Sequence, residues 1–166
     1  MPGKSVQPGP LAAGEAPGLD IEGVARLLIR FADAVDGRRP ADIAAQFAPD
    51  GVFKPGDKPM TGPAEVEDFY RQRLADPRRT TRHLWSNLVL TQDGQAAVRL
   101  RVILTNYAFE PAQSEHEVQM RLGEVTGRCV RDADGDWRFA EHIYQRQYAL
   151  RLPRADASAP TPEARP

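Results

Sequence analysis

The feature that most constrains the fold is an alternation of apolar and polar residues in the second half of the chain. In the middle of the segment 95–109, every second residue is apolar: Val98, Leu100, Val102 and Leu104. Successive strand side chains point to opposite faces, so this pattern predicts a long strand with one dry face. Strands are also predicted over 80–92, 115–131 and 136–149, joined by the turns QDGQ and DADGD and by a looser loop around EPAQS.

The first half of the chain has the spacing of helices instead. An apolar stripe predicts a first helix that begins after an N-cap at Asp20 and ends at Gly37 in the left-handed conformation. The stripe consists of Val24, Leu27, Leu28, Phe31 and Val35. A short second helix is predicted from Pro40, with Ile43 and Phe47 on its inner face.

A third helix is predicted after a PDG turn at 49–51 and a short strand. It starts at Gly62-Pro63, since proline suits the first helical turn, and its buried side carries Val66, Phe69, Tyr70 and Leu74. Helices followed by long antiparallel strands predict an α+β fold with the helices on one side of a curved sheet.

The two ends of the chain differ in composition from its middle. Residues 1–18 and 152–166 are biased toward proline, alanine and charged residues, which predicts a flexible arm and a disordered tail around one domain at 19–151. The formal net charge of −1 gives no electrostatic support to a nucleic-acid or membrane partner. A single cysteine, Cys129, and the lack of a signal-peptide or membrane-spanning pattern are typical of a cytoplasmic protein.

The stretch RTTRHLWSN, residues 79–87, places polar residues inside a predicted strand. By alternation, one face carries His83, Trp85, Asn87 and Val89, and the other carries Leu84, Ser86, Leu88 and Leu90. Polar residues on a covered face are either a hydrogen-bonded structural device or the floor of a pocket. The charged run DPRRTTR at 76–82 is interpreted as solvated surface.

Four segments of the chain resemble the SnoaL-like branch of the nuclear transport factor 2 superfamily: FADAVDGRRPADIAAQFAPDGVF, MTGPAEVEDFY, TTRHLWSN and DGDWRF. The resemblance implies a cone-shaped α+β barrel, in which three N-terminal helices pack on a strongly curved, mostly antiparallel sheet that encloses a pocket. It also implies that the outer face of the sheet joins subunits. A homo-oligomer, dimer or trimer, is therefore expected, with Leu84, Leu88 and Leu90 in the interface.

The resemblance also singles out Asp36 and His83. Members similar to scytalone dehydratase and bile-acid dehydratase have an aspartate and a histidine at these positions, and the two side chains meet in the pocket. A histidine can take and return a proton near neutral pH, and a carboxylate behind it fixes its tautomer. This chemistry needs no metal or organic cofactor. The alternative is that Asp36 is a helix-end residue and His83 a hydrogen-bonded structural histidine.

The other candidates are substrate-binding residues. Asn106 is expected to bind a substrate oxygen, and Tyr144 or Tyr148 to supply a hydroxyl group, because Phe31 stands near a position where such dehydratases often have tyrosine. The remaining candidates for the pocket wall are Trp85, Asn87, His116, His142 and Arg146. The histidines lack the spacing of metal ligands, so no metal site is predicted.

These patterns predict a cofactor-independent lyase, isomerase or cyclase that acts on a small hydrophobic hydroxy-ketone by His–Asp acid/base chemistry. The alternative is a non-catalytic binding or assembly module that resembles the β subunit of ring-hydroxylating dioxygenases. The distance between Asp36 and His83, and the space left in the pocket, distinguish the two.

Overall fold

The computed structural model describes residues 19–154, and the predictions for residues 1–18 and 155–166 lie outside this range. Its elements are α1 (Ile21–Asp36), α2 (Pro40–Ala44), β1 (Phe47–Lys54), β2 (Met60–Thr61), α3 (Gly62–Arg73), β3 (Thr80–Gln92), β4 (Ala97–Phe109), β5 (Glu117–Arg131) and β6 (Trp137–Pro153). The α+β order is the predicted one. Strand β6, however, continues to Pro153, past the predicted strand end at 149 and into the predicted tail.

The six strands form one curved sheet in the order β2-β1-β6-β5-β4-β3. All neighbours are antiparallel except β1 and β6, which are parallel. The sheet has free edges at β2 and β3, so the predicted barrel is not closed. Helix α1 packs on β3, and α3 packs on β1 and α2, which confirms the predicted cone of three helices on a curved sheet.

Asp20 connects the start of α1 to the adjacent ends of β5 and β6. Its carboxylate accepts hydrogen bonds from the backbone N–H of Gly23 at 2.8 Å and from the indole N–H of Trp137 at 2.9 Å. Arg131 lies 2.6 Å from the second carboxylate oxygen. The predicted N-cap is therefore confirmed, and the whole apolar stripe of α1 is buried against the sheet.

The end of α1 differs from the prediction. Gly37 has φ −82°, and the left-handed residue is Arg38, with φ 61°. The Arg38 guanidinium donates hydrogen bonds to the backbone carbonyl oxygens of Arg79 at 2.7 Å, Asp76 at 3.1 Å and Leu74. These bonds offset the strain of the left-handed conformation. They also hold the end of α1 beside the segment that leads into β3.

Phe47 does not belong to α2 as predicted, but begins β1. The PDG segment lies inside β1, where the pairing with β6 is irregular: Phe47 pairs with Phe139 and Val52 with Glu141. The predicted turn is thus a bulge within a longer strand. Phe47 is buried all the same, so the prediction of its burial is confirmed.

Strand β3 contains a bulge that overturns the predicted division of its faces. Ser86 pairs with Ile103 and Val89 with Arg101, so two β3 residues oppose one β4 residue, and Asn87 has φ 56°. The bulge reverses the alternation. Beyond it, two leucines predicted for the outer face pack against the core, and the residues predicted to share the face of His83 are exposed. The inward pair is Leu88 and Leu90, and the exposed pair is Asn87 and Val89.

Candidate active site

The centre of the candidate site is a hydrogen-bonded pair formed by Asp36 at the end of α1 and His83 on β3. The imidazole Nδ1 of His83 lies 2.7 Å from Oδ1 of Asp36. Oδ2 of the same carboxylate accepts the backbone N–H of His83 at 2.9 Å, and Oδ1 also accepts the Thr81 hydroxyl at 2.9 Å. A carboxylate only accepts hydrogen bonds, so Nδ1 carries the proton and Nε2 carries the lone pair.

The other ring nitrogen of His83 meets Asn106 of β4. The Asn106 amide nitrogen lies 3.1 Å from Nε2, and the two residues are direct partners in the β3–β4 register. With the proton on Nδ1, the amide group donates to the lone pair of Nε2. If the ring gains a proton, the amide oxygen can accept from it after a 180° flip. Asn106 can therefore form a hydrogen bond with both the neutral and the protonated ring of His83.

The environment of Asp36 keeps its carboxylate ionised. Burial by itself would raise the pKa of Asp36, but the hydrogen bonds from the His83 ring and backbone N–H, together with the one from Thr81, lower it below its ordinary value. The His83 and Asp36 side chains are only 12% and 16% exposed. The pair is therefore an anchored imidazole with one face toward a cavity.

The cavity has a volume of about 800 Å³ and lies between the helices and the inner face of the sheet. His83, Asn106 and Phe31 line it together with the aromatic residues Phe53, Phe69 and Tyr70. Asp36 lies behind His83 and does not line the cavity. The arrangement can hold a small molecule against the unprotonated nitrogen of an imidazole whose other nitrogen is fixed by a carboxylate.

His142 of β6 lines the same cavity in a different environment. Its ring stacks on Phe31 with 4.9 Å between centroids, and edge contacts to Phe53, Phe139 and Trp85 surround it. Its side chain is buried, and neither ring nitrogen has a hydrogen-bond partner among the described residues. Burial lowers the pKa of His142 to about 4, so its ring is neutral near pH 7.

The comparison with known families decides the assignment of the fold. The family model of the SnoaL-like domain matches residues 18–142, about three quarters of the chain. The chain belongs to the SnoaL-like family. No curated protein matches its sequence.

Solved structures share the SnoaL-like fold at low sequence identity. A scytalone dehydratase-like protein of Novosphingobium aromaticivorans has a TM-score of 0.72 and 17% identity, over 89% of this chain and 96% of the other. LinA has a TM-score of 0.72 and 19% identity, over 84% and 93%. A protein of Catenulispora acidiphila in complex with S-DNPA has a TM-score of 0.65 and 22% identity, over 75% and 91%.

The SnoaL-like cavity includes some of the predicted wall residues and excludes others. Tyr144 and Arg146 line it, as predicted. Tyr148 is 66% exposed, so it cannot supply the hydroxyl group that Phe31 lacks. Trp85 does not line the cavity, because it packs on the core and its indole N–H donates to the carbonyl oxygen of Leu28 at 2.9 Å.

Asn87 and His116 were also predicted for the cavity wall, and neither lines it. Asn87 is exposed at the β3 bulge, because the reversal of alternation turns its side chain outward. His116 is exposed in the loop before β5, one residue short of the strand in which its predicted face would apply.

Two tyrosines are part of the cavity wall. Tyr70 of α3 and Tyr144 of β6 both line it. The Tyr144 hydroxyl is buried and has no hydrogen-bond partner within residues 19–154. Burial raises the pKa of both phenols, so both are neutral hydrogen-bond donors near pH 7. The sequence identified Tyr70 only as a buried helix residue.

A cluster of arginines at one end of the cavity was not predicted from the sequence. Arg73, Arg79 and Arg121 line it and surround the buried carboxylate of Glu110. The interpretation of 76–82 as solvated surface is wrong for Arg79 and Thr81, which are buried. The signal was present, because alternation back from His83 places these two residues on the same inner face.

Within the described range, no three His, Cys, Asp or Glu side chains come together as potential metal ligands. Cys129 is fully buried on β5, and burial raises the pKa of its thiol to about 12. No helix between residues 19 and 154 is long and apolar enough to cross a bilayer.

Proposed function

We propose that the protein is a cofactor-independent lyase or isomerase in which His83 transfers a proton within a small hydroxy-ketone substrate. The observation that carries this proposal is the 2.7 Å contact between Nδ1 of His83 and Asp36, which leaves the lone pair of Nε2 at the cavity. Asp36 orients the ring and stabilises the imidazolium that forms when Nε2 takes a proton.

In the dehydration version of this reaction, Nε2 of His83 removes a proton from the carbon next to the substrate carbonyl. The electron pair of that C–H bond moves toward the carbonyl and then expels the hydroxyl group on the adjacent carbon. The imidazolium returns the same proton to the departing hydroxyl, which leaves as water. Tyr70 is a neutral donor on the cavity wall that can stabilise the negative charge on the carbonyl oxygen.

Asn106 has a supporting role in this scheme. Its amide donates to Nε2 at 3.1 Å, so a bound substrate must share or replace this contact before the proton is removed. As an amide it cannot act as a base, but it can bind the substrate hydroxyl group. The SnoaL-like family and the fold shared with a scytalone dehydratase-like protein are consistent with this class of reaction.

The alternative is a non-catalytic binding or assembly module. Such a module has no use for an oriented imidazole and can fill its interior with aromatic side chains. Here Trp85 packs on the core, yet about 800 Å³ of cavity remains beside His83. These observations favour the acid/base proposal.

The proposal is tested with a ketone probe that reports proton removal directly. Wild-type protein should exchange the protons next to the carbonyl of β-tetralone in heavy water, followed by mass spectrometry. His83→Ala should lower the exchange rate by about 10²–10⁴-fold, the typical contribution of a general base. The matched control His116→Ala removes an exposed histidine and should leave the rate unchanged. Exchange within about tenfold of wild type in His83→Ala would contradict the role.

We also propose that the protein is a homo-oligomer joined by the outer face of the sheet. Leu84 of β3, Tyr107 of β4 and Tyr148 and Leu150 of β6 are exposed large apolar side chains on that face. The interface is thus revised, since the predicted Leu88 and Leu90 pack inward.

Light scattering at micromolar concentration tests the oligomer. Wild-type protein should have at least twice the monomer mass, and Leu150→Glu should lower it, because a carboxylate would be desolvated in the interface. Ile29→Glu is the matched control, since Ile29 is an equally exposed apolar residue on α1. A wild-type monomer would rule out the interface.

A further inference from the structure

One end of the cavity has more positive charge than its own carboxylate can balance. Glu110, whose side chain is 4% exposed, lies 3.3 Å from Arg79 and 3.2 Å from Arg121 and also contacts Arg73. Among the described residues, Glu110 is the only acid within ion-pair distance of these three arginines. Three guanidinium groups therefore share one negative charge.

The pKa values of Glu110 and Arg79 reflect how closely the charges of the cluster are packed. Burial by itself would raise the pKa of Glu110, but the hydrogen bond from Arg121 and the charges of Arg73 and Arg79 lower it. Burial and the charge of Arg73 lower the pKa of Arg79. Buried charges are stable only when they are paired. A second negative charge in this place would stabilise the cluster.

Two of the arginines are mostly buried at this end of the cavity. The Nε–H groups of Arg79 and Arg121 are buried and have no acceptor within residues 19–154. These Nε atoms are shielded from the cavity, so a bound molecule would meet other atoms of the two guanidinium groups. Arg79 is 9% exposed as a residue, and both arginines line the cavity.

The cluster lies close to the proposed catalytic histidine. In the sheet register His83 pairs with Asn106, and Asn106 pairs with Arg121. Neighbouring strands are about 4.8 Å apart, so the backbones of His83 and Arg121 are roughly 10 Å apart on the same inner face. A small molecule can contact Nε2 of His83 and the Arg121 guanidinium at the same time.

We infer that the arginine cluster binds a carboxylate group of the substrate. The planar fork of a guanidinium matches a carboxylate, and three such groups share the single carboxylate of Glu110. The inference rests on the proposed function for the chemistry at His83, and it narrows the substrate class to a small apolar acid that carries the hydroxy-ketone. Binding of the carboxylate is a separate event from proton transfer, so it can be measured alone.

The test uses two probes of the same size and shape, β-naphthoate and β-naphthamide, which differ in charge. Calorimetric titration of the full chain at low salt should give an affinity for naphthoate at least about tenfold higher than for naphthamide, as a charge-assisted hydrogen bond provides. The preference should shrink as salt is added, because a partly open site is screened. Equal affinities, or no detectable binding of naphthoate at millimolar concentration, would overturn the inference.

Two arginine variants locate the effect. Arg121→Gln should reduce the preference for naphthoate to about twofold or less and leave the affinity for naphthamide unchanged, because only the charged ligand uses the guanidinium. The matched control is Arg78→Gln, which removes an exposed arginine that pairs with Asp76 and Glu115 outside the cavity. An equal loss of preference in Arg78→Gln would show a diffuse charge effect and would overturn the site.

The His83→Ala variant separates this inference from the proposed function. It should retain the preference for naphthoate although it loses proton exchange, because the arginines are intact. If wild-type protein exchanges the tetralone protons but does not distinguish the two naphthalene probes, the carboxylate site is wrong and the acid/base role stands. If it distinguishes the probes but does not exchange the tetralone protons, the acid/base role is wrong and the carboxylate site stands.

Discussion

Two histidines line the same cavity in opposite environments. His83 has a carboxylate on one ring nitrogen and an amide on the other. His142 is surrounded by aromatic rings and has no partner for either nitrogen among the described residues. The difference shows that the neighbours of an imidazole decide its chemistry. Only His83 has a group that stabilises the protonated ring, so only His83 is suited to take and return a proton.

Replacement of the Asp36 carboxylate should remove the difference between His83 and His142 most completely. Asp36→Asn should lower the exchange rate of β-tetralone by about 10²-fold or more, because a general base loses its lone pair when the tautomer is wrong. Asp33→Asn is the matched control on the same helix, since Asp33 is exposed and pairs with Arg39. The rate is measured by deuterium incorporation. An Asp36→Asn rate within about tenfold of wild type would mean that the aspartate does not act through His83.

The burial of His142 leads to a second prediction, which concerns the dependence of stability on pH. Burial lowers the pKa of His142 to about 4. As the pH falls below 6.5, the ordinary pKa of histidine, the unfolded chain therefore gains a proton at this residue that the folded chain does not. The sign is therefore a loss of stability on acidification. Between about pH 7 and about pH 4.5, this residue should cost about 2 kcal/mol.

The measurement is urea unfolding at the two pH values in wild type and in His142→Leu. The variant should lose about 2 kcal/mol less than wild type on acidification, because leucine does not titrate. Equal losses in both proteins would show that the His142 ring is protonated in the folded state. That result would remove the contrast between the two histidines.

A smaller effect is expected from the second hydrogen bond that holds Asp36. Thr81→Val removes the hydroxyl that donates to Oδ1 at 2.9 Å and keeps the shape of the side chain. The free energy of unfolding should fall by about 1 kcal/mol, the net value of a typical intramolecular hydrogen bond. Thr105→Val is a suitable control, as it makes the same change on the outer face of β4. An unchanged stability in Thr81→Val would mean that the hydroxyl does not hold the carboxylate.

The sequence predicted the polar side of the cavity well where strand alternation was unbroken. His83 and Asn106 were placed by periodicity and by resemblance to the family, and both lie where expected. Beyond Ser86 the prediction fails, because a bulge of one residue reverses the faces of the strand. Asn87 tolerates the left-handed conformation better than most residues, which is the one signal that was available.

The arginine cluster as a whole was not predicted, for a different reason. Arg73, Arg79 and Arg121 come from α3, the segment before β3, and β5, and only the folded chain brings them to Glu110. Charged residues are mostly exposed, so Arg73 and Arg121 alone indicate a solvated surface, whereas alternation from His83 places Arg79 on the inner face. Arg38 is a similar case, since its bonds to three backbone carbonyls depend on the position of α1 relative to the α3–β3 connection.

The tautomer of His83 is the most direct test of the proposed acid/base function, and nitrogen NMR of the ring in wild type and Asp36→Asn measures it. In wild type the proton should be on Nδ1. In wild type the backbone N–H of His83 donates to Oδ2 of Asp36 at 2.9 Å. In the variant the amide oxygen should take this position, because the backbone N–H is fixed and needs an acceptor. The amide NH₂ then faces Nδ1 and forces the ring proton to Nε2. A proton on Nε2 in wild type, or an identical tautomer in both proteins, would contradict the account.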